Sequence, residues 1–336
     1  MRIEQNYSLK EHNTFHINVN TRWFIEYENE KELLNILHDE YFRKCLSLHI
    51  GEGSNLLFIN DFNGIIFHSQ IKGTKVLKES AEHVLLRIGA AEHWDDVVSF
   101  AISKGWGGIE NLSYIPGEAG AAAVQNIGAY DIEIKDVIET VEAYNQLTCE
   151  RKIFTKEECA YNYRHSRFKE NDREPYIITH INIKLLKTPD YNLNYGNLKE
   201  KLAGKDISLR SVRETVIEMR KSKLPEIKEY GNAGSFFMNP YICSEHYECL
   251  KKYYPEIPFY PVNKEVVKIS AAWLIEQCGF KGKREGNVGT YPKQALVIIN
   301  YGGATGEEII SYAEKIQKAV KEKFYIELTK EVKCVQ

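Results

Sequence analysis

Hydrophobic positions along the chain switch between a helical and a strand period, and the switches mark the elements. Residues 31–37 set Leu33, Leu34 and Leu37 at helical spacing, and residues 94–104 set Trp94, Val97, Val98, Ala101 and Ile102 on one helical face. Apolar runs at 23–27, 47–50, 56–59, 83–89, 137–144 and 294–300 read as strands, as does the stretch after the turn at Asp61. Residues 176–187 alternate at Ile177, Thr179, Ile181, Ile183 and Leu185, which predicts a strand with one buried face. Capping-box patterns predict a short helix after Thr155-Lys156-Glu157-Glu158 and a helix from Ser211-Val212-Arg213-Glu214 with Val212, Val216 and Met219 as its stripe. A third box, Thr305-Gly306-Glu307-Glu308, opens a long helix to about Lys323. A helix over 270–278 closes at Gly279, and a final strand over 324–332 turns Phe324, Ile326 and Leu328 inward and Glu331 to the other face. Strands and helices mixed in this way predict an α+β protein. Pro189, a Tyr/Asn-rich stretch and a charged loop place a domain boundary near 208.

Bulk numbers narrow this picture only a little. The 336 residues, 43% apolar and 27% charged, suit a globular protein of two or three domains. A net charge of −3 with interspersed signs argues against a nucleic-acid partner. The polar N-terminus has no signal-peptide core and no run reaches membrane-spanning length, so a cytoplasmic protein without membrane insertion is expected. Seven scattered cysteines without C-x-x-C read as reduced thiols. Cys243, His246 and Cys249 fit no zinc spacing, and no metal is expected.

Three glycine-bearing stretches carry candidate chemistry. Gly51-Glu52-Gly53-Ser54-Asn55 links two strands and lacks the third glycine and exit helix of a dinucleotide-binding βαβ unit, leaving a backbone anion nest open. Residues 115–130 are short of charge and rich in Gly and Ala. They read either as a close-packed helix or as a backbone surface for a ligand, with Gln125 and Asn126 able to address a ring edge. Gly231-Asn232-Ala233-Gly234-Ser235-Phe236-Phe237 is either a turn into a buried strand or a rigid seat for the Ser235 hydroxyl. Arg164, among tyrosines, offers a planar fork of donors to a carboxylate. Arg220 and Lys223 fall at the end of a helix just before the Ser235 stretch and could serve an anion or only the helix dipole.

Taken together and in order, Asn13-Thr14-Phe15, Gly51 to Asn55, Ile115-Pro116-Gly117, Gln125 to Tyr130, Tyr163-Arg164-His165-Ser166, Lys223-Leu224-Pro225, Gly231 to Asn239, Gln294 to Val297 and Glu331-Val332 resemble the UDP-N-acetylenolpyruvoylglucosamine reductase (MurB) family across nearly the whole chain. The resemblance implies an FAD-binding fold of the vanillyl-alcohol-oxidase (PCMH) type. Its FAD-binding region would be 1–208, with a core at about 17–188 in two subdomains split near 72. A third, substrate-binding domain would span 209–323, and a strand at 324–336 would return to the active site. It implies non-covalent FAD and NADPH as co-substrate. FAD would be held by Gly51, Glu52, Gly53, Ser54, Asn55, Ile115, Pro116, Gly117, Ala121, Ala122, Gln125, Asn126, Ile127 and Gly128.

The resemblance further implies reduction of UDP-N-acetylglucosamine enolpyruvate to UDP-N-acetylmuramate for peptidoglycan synthesis, by a monomer. Ser235 would donate the proton, and Arg164 and Glu331 would stabilise the enolate, Glu331 as a neutral acid whose pKa burial raises. Tyr195, in a segment inserted in the longer subtype, would cover the UDP-sugar with Lys223, Asn239, Arg220 and Gln294. The scaffold alone would equally permit a flavin oxidase, and the Ser235, Arg164, Glu331 set argues for the reductase. His16 stands where the family has glycine, Ala121-Ala122-Ala123 replaces a version with hydroxyl and proline, and Thr329-Lys330 precedes Glu331 in place of Glu-Pro.

Overall fold

A computed structural model describes residues 1–169, 175–194 and 196–336. The chain divides into two compact units, one of Met1–Tyr7, Thr21–Glu52 and Asn63–Arg220, the other of Ser8–Asn20, Gly53–Phe62 and Lys221–Gln336. The α+β class read from the sequence is the one found.

The first unit carries two sheets. One has strand order Arg2–Ser8, Asn20–Tyr27, Phe62–Ser69, Ser47–Ile50, the last pair running parallel. Helix Glu30–His38 packs Leu33, Ile36 and Leu37 against Ile25, Tyr27, Ile65 and Phe67 of this sheet. The other sheet is antiparallel, ordered Arg151–Thr155, Ile138–Asn145, Tyr176–Leu186, His83–Gly89, Thr74–Glu79. Helix Trp94–Ser103 and the short helix Ala119–Gln125 press Trp94, Val97, Val98, Ala119, Ala122 and Ala123 onto it. Burying Val97 or Val98 stabilises by roughly 1.5–3 kcal/mol and each alanine methyl by roughly 0.8 kcal/mol, so the longer helix carries most of the packing and the small alanines let residues 119–125 lie close to the sheet.

Three local expectations differ from the structure. Thr155 ends a strand, and no helix follows it, although Thr155 and Glu158 exchange both capping bonds at 3.0 and 3.3 Å. Ala160, with φ +49, turns the chain away before a helix can propagate. The second helix spans Leu209–Lys223, so it starts before Ser211; the Ser211 N–H donates to Ser208 Oγ at 3.1 Å. Its Val212, Val216 and Met219 pack on Leu198 and Leu202, which is why the change of unit falls at Arg220/Lys221, beyond the composition change at 208.

The second unit has a four-stranded sheet ordered Gly231–Ser235, Gln294–Asn300, Val288–Tyr291, Arg284–Glu285, and a three-stranded sheet of Tyr241–Cys243, Val266–Ile269 and Phe259–Pro261. Helix Gly306–Phe324 starts at the expected Thr305/Glu308 box and buries Ile309, Tyr312, Ile316 and Val320. After it the third difference appears. Residues 325–332 are extended with Ile326 and Leu328 buried, but the only ladder strand there among the described residues is Lys333–Val335, parallel to Leu56–Phe58. Asn13 is buried and ties its own loop, donating to Leu9 O and Ile17 O and accepting from Ile17 N. His16 has φ +56, which explains a glycine preference at that position, and its Nε2 lies 3.2 Å from Ile227 O. All seven cysteines are free thiols, and among the described residues no helix is long and apolar enough to cross a membrane.

Candidate active site

In the first unit the turn after strand Ser47–Ile50 sets Gly51 and Glu52 against residues 117–118. The Gly117 N–H donates to Glu52 Oε2 at 2.7 Å, and Glu52 Oε1 lies 2.7 Å from His93 Nδ1. A Cβ at Gly51 would meet Glu118 Oε2 at 2.8 Å, so a larger residue there would have to displace the Glu118 carboxylate. Two stretches read separately from the sequence are thus one surface.

Within helix Ala119–Gln125, Ala122 and Ala123 are buried in the core while Ala121 is exposed, so the methyls of 122 and 123 are packing groups. Asn126 caps the helix at φ +47 and is fully buried; its amide donates to Asn162 O at 2.8 Å and accepts from Lys135 N at 3.2 Å. The Asn126 side chain, expected to address a ring edge, is instead bonded to the loop on both its nitrogen and its oxygen. Gln125 is the opposite case. Its Nε2 is buried without a hydrogen-bond partner among the described residues, and such an unmet donor costs about 1–3 kcal/mol until something accepts from it.

The 126–128 loop seats Arg164. Its Nη2 donates to Gly128 O at 2.7 Å, its Nη1 lies 3.5 Å from Asn126 O, and Glu133 Oε1 is 3.7 Å away. A Cβ at Gly128 would meet Arg164 Nη1 at 2.7 Å. Ser166 Oγ donates to Val124 O at 2.6 Å, so the Tyr163-Arg164-His165-Ser166 motif and the Gln125 to Tyr130 motif are fastened to each other.

Helix Leu209–Lys223 sends two arginines to the segment before Ile115. Arg213 holds Asp95 through two bonds of 2.6 and 2.8 Å, Asp95 accepts from Tyr114 N at 2.6 Å, and Arg220 Nε donates to Tyr114 O at 3.0 Å. Burial tends to raise the Asp95 pKa, yet Arg213 and the Tyr114 N–H outweigh it and hold the carboxyl below its usual range. Burial pulls the Arg220 pKa down. Asn111 donates to Tyr130 O at 3.0 Å and to Asn192 O at 2.8 Å, joining the glycine loop to the segment before Tyr195. Tyr195 itself lies outside the described residues.

In the second unit, strand Gly231–Ser235 pairs with Gln294–Asn300, with Ser235 opposite Val297. Gly234 takes φ +68, a conformation that glycine adopts at no steric cost, and Asn232 Oδ1 accepts from its N–H at 3.0 Å. Ser235 follows, half-buried, and its hydroxyl makes no hydrogen bond to any described residue. Phe236 and Phe237 are buried next to it. The C-terminal segment runs alongside: Glu331 N donates to Phe236 O at 2.8 Å and Met238 N to Thr329 O at 2.9 Å. On the other side Asn55 Nδ2 donates to Glu331 O at 3.2 Å, across 276 residues of chain. Thr329-Lys330 thus keeps Glu331 in a fixed register beside the Ser235 strand. Asn239 Oδ1 accepts from Ala271 N at 2.9 Å, and Gln294 Oε1 accepts from Leu296 N at 3.4 Å. Lys223 is exposed and forms no ion pair or hydrogen bond with a described residue. Glu118 and His68, missed from the sequence, were marked only by a charge standing in an otherwise uncharged run.

Comparison with known proteins identifies the family. Residues 22–148 match the model of an FAD binding domain, and residues 226–335 match that of the UDP-N-acetylenolpyruvoylglucosamine reductase C-terminal domain. Proteins named UDP-N-acetylenolpyruvoylglucosamine reductase are similar over the full chain: 46% identical in Porphyromonas gingivalis, covering 100% of both chains, and 43% in Bacteroides fragilis, covering 99% of this chain and 100% of the relative. The solved reductase of Thermus caldophilus shares the fold at TM-score 0.70 and 21% identity, with 100% of both chains covered. The first unit fits a flavin dinucleotide in two respects: the glycine backbone at 51 and an unmatched buried donor at Gln125. With relatives this similar along its entire length, the chain belongs to the UDP-N-acetylenolpyruvoylglucosamine reductase family and carries that family's FAD-binding domain.

Proposed function

We propose that the chain reduces UDP-N-acetylglucosamine enolpyruvate to UDP-N-acetylmuramate with NADPH, as a cytoplasmic monomer supplying peptidoglycan precursors and hence cell-wall growth and division. The observation that carries this reading is Ser235: a half-buried hydroxyl on a rigid glycine turn, without a hydrogen bond to any described residue, beside Glu331, whose N–H is held by Phe236 O. FAD, when bound, would supply the chemistry of moving a hydride from NADPH to the enolpyruvyl methylene carbon. Backbone of Gly51 to Asn55 and of residues 115–128, with the Gln125 amide, would hold it.

Negative charge then builds on the substrate carbon next to its carboxylate. Arg164 suits that carboxylate because its charge is permanent and its fork is already fixed by the Gly128 and Asn126 carbonyls. Glu331 acts protonated, donating a hydrogen bond to the developing enolate, and one such donor is worth about 3 kcal/mol. Ser235 gives its proton to the carbanion-like carbon; so basic an acceptor needs placement more than acidity. Asn239, Gln294, Lys223, Arg220 and Tyr195 bind the UDP-sugar, the two cations suiting its diphosphate.

Ser235→Ala should stay yellow and be bleached by NADPH, yet lose about 10²–10⁴-fold in turnover with the UDP-enolpyruvyl sugar. Normal steady-state turnover would sink the assignment. Glu331→Gln, which keeps a neutral donor, should retain far more activity than Glu331→Ala; equal loss in both would remove the protonated-acid role.

A further inference from the structure

Two carboxylates stand among the glycines that would hold FAD, where a pyrophosphate would be repelled. Glu52 has His93 at 2.7 Å, on the surface side. Glu118 is deeper, 7% exposed, and faces His68, 8% exposed, with Oε1 to Nε2 at 3.4 Å. The other ring nitrogen, Nδ1, lies 2.9 Å from Glu26 Oε1. An imidazole between two carboxylates can donate to both only when protonated. Gln70 Nε2 and Arg2 Nη1 each reach Glu26 at 3.2 Å, so Glu26 has other partners, whereas Glu118 has His68 as its one cationic neighbour in hydrogen-bonding range among the described residues. Gln70 Nε2 also lies 3.2 Å from His68 Nδ1, and the Phe24 ring stands 5.9 Å away between centroids.

We propose that His68 is a cofactor-positioning residue: its imidazolium neutralises Glu118, whose carboxylate lies against Gly51, and so lets the 51–52 and 117–118 segments accept the FAD pyrophosphate. The proposal rests on the FAD reading above. His68 touches neither FAD nor substrate and acts through Glu118. Burial is the largest single influence on His68 and favours the neutral ring, but Glu118 and then Glu26 outweigh it and the pKa is raised. The charged groups around the ring are Glu26 on the neighbouring strand, with Arg2 behind it, and Glu118 ahead of the short helix.

The test is FAD rebinding, followed by flavin fluorescence, to apoprotein prepared from the purified holoenzyme. His68→Gln should weaken FAD about tenfold, and adding Glu118→Gln should bring affinity back to within about threefold of the parent, because the uncompensated charge is gone. A packing role would instead make the two losses add. An unchanged affinity in His68→Gln, or no recovery in the double variant, overturns the proposal. Should His68→Gln fail to fold, the pH profile decides. Parent FAD affinity should fall as pH rises through the His68 pKa, and Glu118→Gln should flatten that fall; equal slopes overturn the proposal. Failure of the parent to bind FAD at all would reject the flavin reading instead.

Discussion

The two units hold their candidate residues by different forces. The first fastens segments distant in sequence through side chains: Glu52 to Gly117 N and His93, Glu118 to His68, Arg213 to Asp95. The second fastens Ser235 with a backbone ladder, Glu331 with main-chain hydrogen bonds, and both with buried rings, Phe15, Phe236 and Phe237 packing edge to face. Side-chain charge pairs yield to pH, because protonation removes a partner; ladders and ring packing do not. The Asp95 tie should therefore weaken as pH falls through its lowered pKa, and the His68 tie as pH rises through its raised one, while the Ser235 strand stays in place.

Removing a ring tests the second half hardest. Phe236→Ala should cost about 3–5 kcal/mol in urea unfolding, by the same amount at pH 6 and pH 8. A strongly pH-dependent loss would break the contrast.

Next comes acid. Glu142 sits in the first unit with Arg87 at 2.7 Å, Arg151 at 2.7 Å and Asn182 at 3.0 Å. Burial, the largest influence, opposes ionisation, but these donors outweigh it and bring its pKa from 4.5 to about 2. A depressed carboxylate stabilises the fold above its unfolded pKa and loses that contribution as pH falls through the folded one. Up to about 3 kcal/mol should thus be lost between about pH 4.5 and pH 2, and Glu142→Gln should flatten the slope of urea midpoint against pH in that window. An unchanged slope would show that the arginines do not hold the carboxylate. His180 belongs to the same cluster; burial, helped by Arg87, lowers its pKa and keeps it neutral.

The smallest effect probes the loop before the Ser235 strand. His16→Ala keeps the left-handed backbone but loses the bond to Ile227 O, and should destabilise by about 1 kcal/mol. His16→Gly also loses the bond but removes the strain, so it should sit closer to the parent. Equal losses in thermal unfolding would mean that the φ of +56 carries no cost.

Elements with a long periodic stripe were legible in the sequence. The Thr305 box opens a helix because 19 residues of amphipathic pattern follow it. The same box at Thr155 forms its two bonds and no helix, because nothing after it supplies a stripe to pack. The strand expected over 324–332 failed in a similar way. Its inward alternation at Ile326 and Leu328 is real, but ladder pairing begins only at Lys333, where Leu56 lies opposite.

By itself the sequence determined the strongly periodic elements, the α+β class, the family, and the order of Arg164, Ser235 and Glu331 along the chain. Burial period and motif spacing are local properties, and they survive in any reading of the residues. Only the tertiary structure decided that Glu118 lies against Gly51, that Gly128 must be small to admit Arg164, and that Glu331 is pinned between Phe236 and Asn55. Those pairings join residues far apart in the chain. They depend on sheet register and loop closure, neither of which leaves a periodic trace.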